Sequence, residues 1–269
     1  MSQHPDINTL DAQVRAGLQA DEFSAHYQPK FDPESEDIVG AEALLRWDHP
    51  DEGMRVAGWF MPSIERNEAL IECVDTWVLN ATTRQGKAWL EAGHPVGDLY
   101  VNVSAWHAGP KLVEMVETAL KESNFPAKSL SLECPWRMLA ADADTIAPTM
   151  RALRALGCTI VLDGNPLDQA CLDVVNQTPV QLSKVCIEHL QDYADSYNTP
   201  KLASLIKTWR KRGVQIIAIG VEGEEQLTLS HQAGCRYAQG NRFKSALPAD
   251  EITFLLKVIE KTKQALSLL

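Results

Sequence analysis

The sequence predicts an α/β fold, a TIM-like (β/α)8 barrel whose first strand runs antiparallel. Three observations lead there. About eight short apolar runs alternate with longer segments of helical period. No Ser/Gly-rich linker interrupts the alternation. The first two runs are too close in sequence to be joined by a crossover helix, so they pair antiparallel.

Taken in order, the elements support this reading. Segment 9–20 sets Leu10, Val14 and Leu18 along one helical face, so residues 1–20 are expected to form a leading helical extension and 21–269 the barrel domain. Strands 23–28 and 38–45 follow, joined by "PKFDPESED". Helix 71–92 leads to strand 99–103, helix 111–123 to strand 130–133, and helix 144–156 to strand 159–163. Strand 181–185, helix 200–212, strand 214–219, helix 224–233, strand 236–239 and helix 249–266 complete the chain. Gly93, Gly157, Gly213 and Gly234 each follow a helical segment and precede a strand, as helix-terminating residues do.

Composition narrows the function classes. Of 269 residues, 45% are hydrophobic and 23% charged, ordinary values for a globular chain. No apolar run reaches the roughly 20 residues that cross a bilayer, and "MSQHPDINTL" lacks the pattern of a secretory signal, so a cytoplasmic protein is expected. The net charge of −11 argues against DNA binding, which needs a basic footprint. The six cysteines form no CxxC pair or Cys/His cluster, which argues against a zinc site and a disulfide framework. His26, His49 and His107 fall in no nucleophile or metal-binding motif.

In barrels of this type chemistry sits where strands end. Glu42, Asn102, Glu133, Asp163, Lys184, Glu222 and Gln239 all fall at or just beyond such ends. One polar strand end is a solvated edge; one on each of so many successive strands marks a shared mouth.

The segments "YQPKFD", "GAEALLRWDHP", "VNVS", "LSLE", "PVQLSKV", "IGVEGEEQL" and "AGCRYAQGNRF" together resemble the EAL domain family, in order and with compatible spacing. That family comprises phosphodiesterases and receptors for the bacterial second messenger cyclic di-GMP, and the signature triplet here is Glu42-Ala43-Leu44. The resemblance implies a nucleotide at the barrel mouth. It also implies that Glu42, Asn102, Glu133 and Asp163 hold one Mg2+ or Mn2+, with Lys184 as the catalytic lysine. Three carboxylates and an amide carbonyl are hard oxygen donors of the kind such an ion takes. Gln28, Leu44, Arg46, Pro62, Asn102, Asp163 and Gln239 match positions that contact the ligand, and Phe60 could wall a guanine.

The chain departs from the family pattern where a second metal would be held. The usual Asp-Asp-Phe-Gly-Thr-Gly reads Asp163-Gly164-Asn165-Pro166-Leu167-Asp168, and Ile219 replaces a glutamate. Trp136 stands where a second glutamate would brace the same loop, and Cys186 where an aspartate is common. The altered loop puts the family's usual homodimer in doubt. Two-metal hydrolysis needs paired ions held by several carboxylates, so the expectation is a degenerate member: a non-hydrolytic cyclic di-GMP receptor or regulatory module, Lys184 being vestigial. A nucleotide-independent adaptor for a protein partner is the first alternative. The second is a slow phosphodiesterase that recruits Glu222 or Asp168.

Overall fold

A computed structural model describes residues 7–94, 96–104, 109–165 and 167–266. His107 and Pro166 lie outside the described residues. Two long strands, β1 (Phe23–Phe31) and β2 (Ile38–His49), form an antiparallel hairpin in the register Phe23↔Trp47 through Gln28↔Glu42. From β2 the sheet continues in parallel through β4 (Asp98–Asn102), β5 (Leu130–Pro135), β6 (Thr159–Asp163), β7 (Leu182–Cys186), β8 (Gln215–Ile219) and β9 (Tyr237–Gln239). Phe31 pairs with Ala238, bringing β9 back to β1 and closing an eight-stranded barrel. A short strand, β3 (Gly53–Val56), hangs on the outer end of β2. The predicted barrel and its antiparallel first strand are both present.

The helices α1 (Ile7–Gln19), α2 (Ala57–Ile64), α3 (Glu68–Glu91), α4 (Pro110–Ser123), α5 (Trp136–Ala141), α6 (Ala143–Leu156), α7 (Gln169–Gln177), α8 (Ile187–Tyr197), α9 (Thr199–Lys211), α10 (Glu224–Ala233) and α11 (Ala249–Leu266), with a 3-10 turn at Ala127–Ser129, complete the described elements. Several start on side-chain caps that satisfy otherwise orphaned amides: Asn67 accepts from Leu70, Asp142 from Thr145, Asp168 from Cys171 and Asn198 from Lys201. Helix α6 stops at Gly157, whose φ of 106° lies in the left-handed region that side chains avoid.

Strand alternation divides the core into two layers. Outward residues such as Ala41, Ala43, Leu45, Leu99 and Val101 pack under the helices. Inside the barrel a small plug forms from Tyr100, Val161, Leu182 and Ile217. Leu10 and Val14 of α1 are fully buried in the outer layer, so the leading helix shares the barrel's core.

Candidate functional site

Above the apolar plug the barrel interior turns ionic. Glu42, Glu133, Lys184 and Gln239 project inward from β2, β5, β7 and β9, and all are buried. The Lys184 ammonium donates to Glu133 Oε2 at 2.7 Å and Glu42 Oε2 at 3.1 Å, and lies 3.6 Å from Asp163 Oδ1. Gln239 Nε2 donates to Glu42 Oε2 at 2.9 Å and Gln28 Oε1 at 3.0 Å. Asn102 Nδ2 donates to Glu42 Oε1 at 2.9 Å. Seven residues singled out in the sequence, Gln28, Glu42, Asn102, Glu133, Asp163, Lys184 and Gln239, are therefore joined in one network.

A second lysine, absent from the sequence reading, completes it. Lys30 has no exposed surface; its ammonium donates to Gln239 Oε1 at 2.6 Å and Glu133 Oε1 at 3.2 Å, lies 3.5 Å from Glu42 Oε2, and sits 4.3 Å from the centre of the Tyr100 ring. Strand β1 runs past Gln28 to Phe31, and the two-residue period puts Lys30 on the same face as Gln28. That alternation was the available signal.

Charge and burial act together here. Burial opposes ionisation of Glu42, yet Lys184, Lys30 and the Gln239 amide hold its carboxyl well below the usual range. Burial, and then the charge of Glu42, push Glu133 up to about 7 against the pull of the two lysines. Burial alone would lower Lys184, but Glu133, Glu42 and Asp163 raise it.

Whether these residues fit a divalent ion follows from their partners. Each carboxylate oxygen of Glu42 and Glu133 faces an ammonium or amide donor, and Asn102 turns its amide nitrogen toward Glu42. Among the described residues, no group of three or more His, Cys, Asp or Glu side chains is arranged to hold a metal ion. In this arrangement the ammonium groups of Lys30 and Lys184 lie against the carboxylates of Glu42 and Glu133, and that of Lys184 also lies near Asp163.

The loop after β6, where the sequence departs from the family pattern, is held by its own side chains. Gly164 has φ 73°, a conformation that a side chain would strain. Asn165 is fully buried; its amide donates to Ser183 Oγ at 2.5 Å and its Oδ1 accepts from Leu167 N–H at 2.5 Å. Asp168 caps α7 by accepting from Cys171 N–H at 3.0 Å. Trp136 opens α5 and packs against the core, and the Cys186 thiol donates to Glu188. Ile219 packs on the interior plug.

A cavity of about 220 Å3 opens at this mouth, lined in part by Gln28, Glu42, Lys184, Ile219, Glu222 and Gln239. Leu44 and Arg46 share the inward face of Glu42 further along β2, paired with His26 and Ser24, and do not line it. Arg46 Nη1 donates to the Leu45 carbonyl. Pro62 is exposed on α2, also away from the cavity, whereas Phe60 is fully buried against Phe23 and Trp47 and walls nothing.

Residues 11–246 match the EAL domain family, and this chain belongs to it. It is 30% identical over 243 residues to the Pseudomonas aeruginosa bifunctional diguanylate cyclase/cyclic di-GMP phosphodiesterase MucR, covering 89% of this chain and 35% of that one. It is 29% identical over 241 residues to the cyclic di-GMP phosphodiesterase NbdA of the same organism, covering 89% and 31%. The chain thus spans about a third of the length of these two relatives. The structure of the MucR phosphodiesterase in complex with cyclic di-GMP superposes with a TM-score of 0.83 at 30% identity, covering 91% of this chain and 99% of that one. Among the described residues no helix is long and apolar enough to cross a membrane.

Proposed function

We propose that this domain binds cyclic di-GMP at the barrel mouth and acts chiefly as a receptor or regulatory module, hydrolysing the nucleotide slowly if at all. One contrast carries the reading: Gln28, Glu42, Lys184 and Gln239 line the cavity together, while Ile219 and Gly164 offer no oxygen where the family places carboxylates. The cavity is smaller than the ~300–1,000 Å3 of typical small-molecule sites. It holds part of a dinucleotide, and the rest would lie along β2 toward Leu44 and Arg46, whose guanidinium suits a phosphate. A single Mg2+ or Mn2+ at Glu42, Asn102, Glu133 and Asp163 would have to displace Lys184 from both glutamates.

Slow cyclic di-GMP hydrolysis is the strongest competing reading, favoured by the phosphodiesterase activity in the names of MucR and NbdA. Glu222 lines the cavity and is placed to contribute an oxygen, whereas Asp168 is committed to capping α7. Calorimetry with cyclic di-GMP in EDTA and in Mn2+, with chromatography of the same mixtures, tests both. Binding in EDTA without linear product supports the receptor. Turnover in Mn2+ that Glu42→Ala abolishes replaces it with the slow enzyme, and no binding in either buffer leaves the adaptor reading.

A further inference from the structure

Lys30 is an unusual residue to find at the centre of a barrel. It has no exposed surface, and three polar groups and one aromatic face surround its ammonium. It pairs with Gly40 near the start of β2, two residues beyond Gln28 on the same face, and does not reach the cavity that Lys184 lines. Both ammonium groups contact Glu42 and Glu133, Lys184 from the cavity side and Lys30 from the closed interior. With Asp163 included, three acids face two lysines, a net charge of −1 when all are ionised. Without Lys30 the same group would carry −2, the complement of a divalent cation. Lys30 also fixes Gln239, whose amide holds both Glu42 and Gln28.

We propose that Lys30 sets the ionic preference of the barrel mouth: locked onto Glu42, Glu133 and Gln239, it weakens divalent-cation binding there and strengthens binding of a phosphodiester anion. The physical ground is proximity inside a low-dielectric interior, where one buried charge is screened far less than at a surface. Lys30 lies beneath the cavity and does not line it, so it is a positioning residue that acts through Glu42, Glu133 and Gln239.

The test is a pair of titrations at pH 8 on the native chain and on Lys30→Met, which keeps the length of the side chain and removes its charge. Mn2+ binding is read by electron paramagnetic resonance, and cyclic di-GMP binding by calorimetry in EDTA. The expected result is opposite movement: Mn2+ affinity rises fivefold or more, and nucleotide affinity falls fivefold or more. A purely structural role would lower both affinities together, and that outcome, or no change in either, overturns the proposal. Lys30→Gln supplies the same test should Lys30→Met fail to fold: it also removes the charge, Mn2+ affinity again rises and nucleotide affinity falls, and parallel loss or no change refutes it. The nucleotide limb rests on the reading of the preceding section. If the native chain binds no cyclic di-GMP that reading fails, and the Mn2+ limb still decides the role of Lys30.

Discussion

Replacing Asn165 by alanine removes the buried anchor of the loop after β6. Its amide donates to Ser183 Oγ and its Oδ1 accepts from Leu167 N–H, both at 2.5 Å. Ser183 Oγ has a weaker alternative in the Leu162 carbonyl at 3.5 Å. Leu167 N–H loses its side-chain acceptor, in a buried residue whose φ of 59° is already unfavourable for leucine. A lost hydrogen bond contributes about 1 kcal/mol and an orphaned buried donor about 1–3 kcal/mol. The sum gives a destabilisation of about 2–4 kcal/mol. Urea unfolding followed by tryptophan fluorescence measures it as a lower midpoint at unchanged slope. A loss below about 0.5 kcal/mol would refute the view that Asn165 holds this loop, since that is the usual range of a surface substitution.

Three further outcomes follow from the same contacts. Glu133 is raised from 4.5 to about 7, so its contribution to stability is complete below 4.5 and lost as pH rises through about 7. Glu42, held low, contributes in the opposite sense, fully above its unfolded value and less as pH falls below it. Unfolding free energy should therefore decline between pH 5 and pH 8, by up to about 3 kcal/mol, and Glu133→Gln should flatten that decline. Leu10→Ala, at a fully buried position in α1, should cost about 2–5 kcal/mol in the same urea assay, whereas a loosely attached extension would lose almost nothing. Gly240→Ala would place a Cβ 2.1 Å from the Val221 carbonyl oxygen beside the cavity, and should cost at least ~1–3 kcal/mol and impair nucleotide binding; unchanged stability and affinity would contradict the close packing of that turn.

Period and punctuation made much of the barrel legible. The run 159–163 stands as β6 (Thr159–Asp163), because an apolar segment between Gly157 and Gly164 has clear ends on both sides. Other elements were hidden by their own chemistry. Helix α2 contains Pro62 and reads "AGWFMPSI", with no polar face to reveal a period. β3 is four residues on an edge and buries almost nothing. Within the site, Asn102, Glu133, Asp163, Lys184 and Gln239 converge because each falls toward the carboxyl end of a parallel strand, while Glu42 lies in the first half of the longer β2 on the same inward face. Lys30 is hidden in the sequence because Pro29 marks an apparent end to the strand, which in fact continues to Phe31. Phe60 packs against Phe23 and Trp47 in the core, contacts that spacing alone does not reveal. Spacing along a strand indicates which face a side chain occupies and leaves open which neighbour claims it.

The barrel closes between its first strand and its last, and this governs how the chain is made. During synthesis the β1–β2 hairpin leaves the ribosome long before β9, so the free side of β1 waits through nearly two hundred residues of translation. Over that interval Lys30 has neither Gln239 nor, at first, Glu133, and its ammonium must remain hydrated. Dehydration of the ionic centre is therefore deferred to the final docking step. Chains released early, before residue 239, would keep an exposed hairpin edge open to pairing with one another.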